Sequence, residues 1–310
     1  MYELDQPNIY CNKLNKKHAP ASPFFMKTLS LFGAILLGIW LYQAKELSFL
    51  IRYNLIAMMF FAFLDFEIHK NLFRWIHLKI LVANCLMGFL AFFITQLITP
   101  DLAPVAFITG IMPTAIAATV IIGFLQGEST FVVVSVLVTN VGMALLLPIF
   151  LPFVLQTEQS ISTQAILIPV FTTVFTPLLL ALGLRKISLK VTEKLIPYRP
   201  ATFYLFVFNV FLASASSSHF IRFELSGGWD LLWQILLVTF VIFVSNFVTG
   251  DLLGRPQQRL EGQQSLGRKN TMFGLWLALT FVSPIAALGP VFYILLQNTF
   301  NSYQIAKKSS

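Results

Sequence analysis

The stretch Gly262-Gln-Gln-Ser-Leu-Gly-Arg-Lys-Asn-Thr271 leads into an apolar run that continues to Leu288. Arg268 and Lys269 stand at the mouth of that run, where nearly every neighbour is uncharged. A cation near membrane depth costs about 2.5–3.5 kcal/mol on insertion scales. Side chains this costly line a polar cavity, or they snorkel to the headgroups and act as an end-stop. The stretch itself leaves both readings open.

The rest of the chain identifies the solvent. Of 310 residues, 57% are hydrophobic and 11% are charged, and the mean hydropathy is +0.78. A soluble domain carries about 25% charged residues, so a chain this apolar cannot cover itself with polar surface. Apolar stretches of span length recur from Phe24 to Phe300, which predicts a polytopic α-helical membrane protein whose partner is the lipid bilayer. The short alternating strands of a β-barrel do not occur. The net charge of +8 is spread between apolar runs and forms no basic stripe. It therefore points to cytoplasmic loops and not to nucleic acid.

Ten spans are expected, at about 24–43, 48–66, 78–98, 103–125, 129–155, 163–184, 202–220, 230–250, 259–283 and 286–304. With the N-terminus inside, sixteen Lys and Arg fall in inner segments and three (Lys45, Arg52 and Arg222) in outer ones, Arg268 and Lys269 left aside. One helix more or fewer would scramble this sorting, so both termini are expected in the cytoplasm. Residues 1–23 read as a polar tail and 305–310 as a second one. The basic connection Arg185 to Pro200 divides the spans into blocks at 24–155 and 156–304. Five spans per block is odd, so the second block enters the membrane inverted, a common plan for secondary transporters.

The fourth span of each block is interrupted. In Gly110-Ile-Met-Pro-Thr-Ala-Ile-Ala-Ala-Thr-Val-Ile-Ile-Gly123, Pro113 removes a backbone donor and disfavours helix at Met112. Small residues from Thr114 to Thr119 let another backbone come close. The ninth span carries its polar stretch around Gly262 and Gly267. Paired interruptions predict a binding site where two broken helices meet, although Pro113 taken alone is also compatible with a simple kink. Glu261, Ser265 and Lys269 are spaced four apart and would share one helical face, letting Glu261 offset the Lys269 charge. Alternatively, Glu261 simply occupies the positive end of a solvated helix start.

Asn84, Thr139, Asn140, Asn209 and Asn246 fall inside spans as helix-bridging groups or ligand contacts, and the Ser214–Ser218 run reads as the approach to an outer loop. Asp65 and Glu67 are expected at the membrane interface. Enzyme signatures (HExxH, GxSxG, a Walker loop) are missing, the four His are scattered, and Cys11 and Cys85 form no CxxC pair. No catalytic residue, cofactor or metal ligand is therefore expected.

Two blocks carry a resemblance: Gly110 to Pro148, with Pro113, Gly127-Glu128 and Pro148, and Gly267-Arg-Lys-Asn-Thr271 through Pro284 to Tyr293-x-x-x-Gln297-Asn298. From these outward, over nearly the whole chain from Phe24, the sequence resembles the bile acid:sodium symporter family, especially its divergent bacterial members. The resemblance implies ten helices in two inverted five-helix repeats. A panel domain (spans 1, 2, 6 and 7) and a core domain (spans 3–5 and 8–10) would flank a cavity, and the broken fourth and ninth spans would cross in the core. It implies a secondary transporter in a bacterial inner membrane. The family's fourth-span motif, Pro-Gly-Gly-x-x-Ser-Asn, reads here Pro113-Thr114-Ala115-Ile116-Ala117-Ala118-Thr119. Its ninth-span motif, Glu-x-Gly-x-Gln-Asn, reads Ser265-Leu266-Gly267-Arg268-Lys269-Asn270.

The positions that hold sodium in the family read Ala118, Val132, Val136 and Ser265, with one side-chain oxygen among them. Hard cations want several oxygen ligands, so these residues argue against sodium coupling. Lys269 would stand where the family has a Gln close to sodium, as a tethered substitute that also permits proton coupling or plain facilitated transport. The expected function is alternating-access transport of a small organic anion. The site is expected to comprise Thr119, Lys269, Asn270, Thr271, Ser265 and Thr114, with Asn84 nearby. Rival expectations are an efflux carrier or facilitator on the same fold (for a metalloid oxyanion, for example), and a membrane-embedded enzyme or sensor.

Overall fold

The computed structural model describes residues 22–64, 73–155, 163–223 and 229–309. The N-terminal tail to residue 21, Cys11, Asp65, Glu67, His69 and Lys70 lie outside the described residues. Within them the chain is helical throughout, with one isolated backbone bridge and no strand.

The helices in chain order are α1 (Ser22–Trp40), α2 (Leu50–Phe63), α3 (Trp75–Ile98), α4 (Ala103–Ile111), α5 (Ala118–Phe124), α6 (Ser129–Leu155) and α7 (Thr163–Ile187). They continue as α8 (Leu189–Leu195), α9 (Thr202–Phe223), α10 (Trp229–Gly254), α11 (Arg259–Gly267), α12 (Thr271–Phe281) and α13 (Leu288–Ser309). Five stretches are long and apolar enough to cross a bilayer: Trp75–Ile98, Ser129–Leu155, Thr163–Ile187, Leu189–Phe223 and Asp230–Gly254. At 1.5 Å per residue, the 24 residues of α3 reach about 36 Å, enough for a hydrocarbon core of about 30 Å. Large apolar side chains lie bare along these helices, including Leu97 at 87% exposure and Ile187 at 85%. Lipid, not water, accommodates such a surface. The protein is an all-α integral membrane protein.

Helices α1, α2, α7 and α9 pack on one another, α3, α4, α6, α10, α11 and α13 form a second set, and α7 packs as closely on α6 as on α2. Lipid tails are as apolar as Leu, so close packing and hydrogen bonding hold such helices together. Small residues mark the tightest contacts. At α3–α4, a Cβ placed on Gly110 would stand 2.9 Å from the Gly88 Cα. At α10–α11, a Cβ on Gly262 would collide with the Gly250 carbonyl. Gly262, expected to interrupt its helix, therefore lies inside α11 and serves a helix crossing instead.

The Ser214–Ser218 run is likewise not a loop approach. It is part of α9 and buried. Its small side chains let α1 settle at Gly38, directly on the α9 backbone at Phe211 and Ala215, while Ser218 Oγ donates to the Ile39 carbonyl at 3.1 Å. Asn209 acts as a helix bridge, accepting from Asn54 Nδ2 at 2.7 Å.

Candidate functional site

Two breaks in helix build the site. The first follows from Pro113: α4 stops at Ile111, Met112 turns out of helix (φ −49°, ψ 134°), and helix resumes at Ala118. The second is at Arg268–Asn270, between α11 and α12. Arg268 is extended (φ −92°, ψ 112°) and Asn270 is non-helical. The extended pieces pair antiparallel at Thr114 and Lys269. The Ala115 N–H donates to the Arg268 carbonyl at 2.9 Å, and the Asn270 N–H to the Pro113 carbonyl at 2.7 Å. Each break thus satisfies backbone groups that the other leaves open, the condition for non-helical chain within a membrane protein.

Side chains from α3, α6 and α13 complete the junction. The Thr114 N–H donates to Thr139 Oγ1 at 3.0 Å, and Asn140 Nδ2 donates to the Thr114 carbonyl at 3.0 Å. Asn270 Nδ2 donates to Asn140 Oδ1 at 3.1 Å, while Asn270 Oδ1 caps α12 by accepting from the Phe273 N–H at 3.2 Å. Thr114 Oγ1 reaches the Ser265 carbonyl at 2.5 Å, and Tyr293 OH reaches the Gly267 carbonyl at 2.7 Å.

Lys269 is fully buried and Arg268 is 2% exposed; neither snorkels to an interface. The Lys269 ammonium donates to Asn84 Oδ1 and, at 3.0 Å, to the Gly110 carbonyl. Asn84 Nδ2 donates to the adjacent Ile111 carbonyl at 2.8 Å. The last carbonyls of α4, the negative end of its dipole, are therefore met by a cation and an amide. Arg268 Nε donates to Gln264 Oε1, and Nη2 donates to Gln304 Oε1 at 3.1 Å. Among the described residues neither cation has an Asp or Glu partner.

Beside the junction lies a cavity of about 550 Å³. Its lining is amphiphilic: Leu31, Leu55, Met59, Ile116, Phe203 and Phe206 are apolar, and Arg268, Lys269, Asn270, Thr271, Gln297 and Asn301 are polar. Gln297 Oε1, Asn298 Nδ2 and Asn301 Oδ1 have no hydrogen-bond partner among the described residues. The cavity runs from the junction to Arg199 and the start of α9, past the middle of α1, the middle and end of α2, and α13 from Gln297 onward, so it lies toward one end of the molecule. At the other end, contacts link neighbouring helices. Arg52 of α2 donates to Thr172 (2.6 Å) and Thr173 (3.1 Å) of α7, and its guanidinium stands 5.9 Å from the Trp276 ring of α12. Ser217 Oγ of α9 donates to the Pro284 carbonyl at 3.1 Å.

The structure brings together Thr114, Lys269, Asn270, Thr271 and Asn84. It corrects two expectations. Thr119 is not at the crossing: it is the second residue of α5, half-buried, and its hydroxyl returns to the Ile116 carbonyl of its own chain at 2.8 Å. Pro113 ends α4 early enough for Thr114 to take that place. Glu261 does not share a helical face with Lys269, because α11 ends at Gly267. Its carboxylate instead accepts from the Glu128 N–H at 2.8 Å. Ser265 contributes its carbonyl to Thr114, while its hydroxyl is buried and unpartnered. Sequence reasoning missed Gln304 and Asn301 and the bond from Arg268 to Gln264, and it left Arg268 open between a polar cavity and the interface. Only the four-residue spacing of Gln264 and Arg268 offered a signal.

Ala118 and Val132 are buried in an apolar cluster with Ile80, Ile122, Phe131 and Leu266, and Val136 belongs to the main core. Compared with known proteins, the chain matches no family model and no curated sequence.

Proposed function

We propose that the protein is a secondary transporter of small organic anions that works by alternating access in a bacterial inner membrane. In this reading the helices make ten crossings in two inverted five-helix repeats, with α4–α5 and α11–α12 as the broken fourth and ninth, and both termini in the cytoplasm. Helices α1, α2, α7 and α9 act as a panel against which the remaining core rocks.

The single observation that carries the proposal is the Lys269 ammonium, enclosed where two interrupted helices pair and beside an amphiphilic cavity. Interrupted helices that meet at a cavity are how carriers present backbone groups and charge to a solute. The cavity at one end and the helix-linking contacts at the other correspond to one of the two states that alternating access requires. Lys269 does the electrostatic work that a dissolved cation would otherwise do at the α4 terminus. Because it is tethered, it needs no sodium gradient.

The test is uptake into proteoliposomes of a panel of carboxylates, with sodium replaced by choline. The expected result is saturable uptake that is indifferent to sodium and strongly reduced in Lys269→Gln. Sodium-driven uptake by the parent protein removes the tethered-cation role, and absence of uptake for every anion, in either direction, removes the transporter. Uptake that follows only the solute's own gradient identifies facilitated flux.

A further inference from the structure

The guanidinium of Arg268 is held by one edge only. Nε and one N–H of Nη2 are taken by Gln264 Oε1 and Gln304 Oε1, and the two glutamines are joined by Gln264 Nε2 donating to Gln304 Oε1 at 3.3 Å. The opposite edge, Nη1 with the second Nη2 proton, has no acceptor among the described residues. The side chain is 2% exposed and borders the cavity. A buried cation without a counter-charge is costly to keep, and a guanidinium presents paired N–H groups that match two oxygens of a planar anion.

We propose that Arg268 is the headgroup receptor of the cavity, binding a carboxylate end-on through Nη1 and Nη2 while the two glutamines hold the fork in place. The proposal rests on the organic-anion reading above and narrows it to ligands with two coplanar oxygens on one atom. Gln264 and Gln304 are positioning residues: each acts on Arg268 and not on the ligand.

The apolar lining sets the other half of the ligand. Leu55, Met59, Phe203 and Phe206 line the same cavity, as do Ile116 and Ile121, so the body attached to the carboxylate is hydrocarbon. Lys269 has two of its three N–H groups taken by Asn84 and Gly110 and offers no second parallel donor, whereas the open Arg268 edge offers two. The two adjacent cations thus divide the work: one belongs to the fold and the other to the ligand.

The experiment uses the full chain in nanodiscs, with 4-phenylbutyrate and its uncharged isostere 4-phenylbutyramide as probes in isothermal titration. The parent protein is expected to prefer the carboxylate by about thirtyfold, or about 2 kcal/mol at about 1.4 kcal/mol per decade. Arg268→Gln should bring the two affinities within about threefold, while Arg268→Lys, which keeps charge without the fork, should fall between. Gln304→Leu is a second variant that touches no ligand. By releasing Nη2 it should lower the preference several-fold even if the Arg268 variants do not fold.

Equal affinities in the parent, no binding of the carboxylate, or a preference that survives Arg268→Gln each overturn the proposal. Uptake is scored separately. A carboxylate preference without uptake removes transport and leaves the Arg268 assignment standing; uptake without the preference does the reverse.

Discussion

Replacing Lys269 by Met keeps an unbranched side chain, one atom shorter, and deletes its charge. In the parent protein the ammonium serves Asn84 Oδ1 and the Gly110 carbonyl. The variant leaves both acceptors buried without a donor, at about 1–3 kcal/mol each. Against this stands the desolvation that the ammonium no longer suffers, several kcal/mol for a buried ion. The losses and the gain are of similar size, so the single change is expected to cost no more than about 3 kcal/mol. Replacing Asn84 by Leu is worse, because the ammonium stays buried with one partner fewer and the Ile111 carbonyl loses its donor; about 3–5 kcal/mol is expected. In the double variant the stranded cation is gone, so its cost should fall below the sum of the two singles by about 1–3 kcal/mol. Reversible unfolding in mixed micelles, monitored by far-UV circular dichroism, measures all three. Additivity within about 0.5 kcal/mol would refute the coupling, and with it the assignment of Lys269 to the end of α4.

Thr114→Val should destabilise the protein by about 1–3 kcal/mol through the lost bond to the Ser265 carbonyl, whereas Thr119→Val should change stability by no more than about 0.5 kcal/mol and leave uptake intact; reversed magnitudes in the same unfolding assay would put the crossing one turn later. Gly110→Ala is expected to cost about 1–3 kcal/mol, because its Cβ meets the Gly88 Cα and the Met87 carbonyl at 2.9 and 3.0 Å; unchanged thermal stability contradicts the close approach of α3 and α4. Arg52→Ala removes the ties to Thr172, Thr173 and Trp276, so amide exchange across Thr271–Phe281 should quicken; unaltered protection there shows that the end is held by other contacts.

The helices were legible because lipid imposes long uninterrupted apolar runs, and the first break was legible because Pro113 has a local mechanism. The second break has a weaker signal, Gly267, which ends α11 as expected. Gly262 resembled an interruption, yet its missing side chain makes room for α10, while the chain leaves helix six residues later at Arg268. That departure is fixed by pairing with residues around Thr114, more than 150 positions away in sequence, which no local pattern reports. The same holds for Glu261, which a helical wheel aims at Lys269 and the end of α11 turns elsewhere. The serines of α9 were misread for a related reason: small polar residues mark loops in water but close helix contacts in lipid. Gln304, near the end of α13, gains its importance only from where Arg268 is brought.

The bonds that close the junction, from the Ala115 N–H to the Arg268 carbonyl and from the Asn270 N–H to the Pro113 carbonyl, run between main-chain atoms. Main-chain geometry is common to every residue type, and proline is excluded only where a proton must be donated. Those two bonds therefore do not depend on which side chains flank them. An exchange such as Asn84→Leu takes its toll on the carbonyls and ammonium around the pairing, and not on the pairing itself.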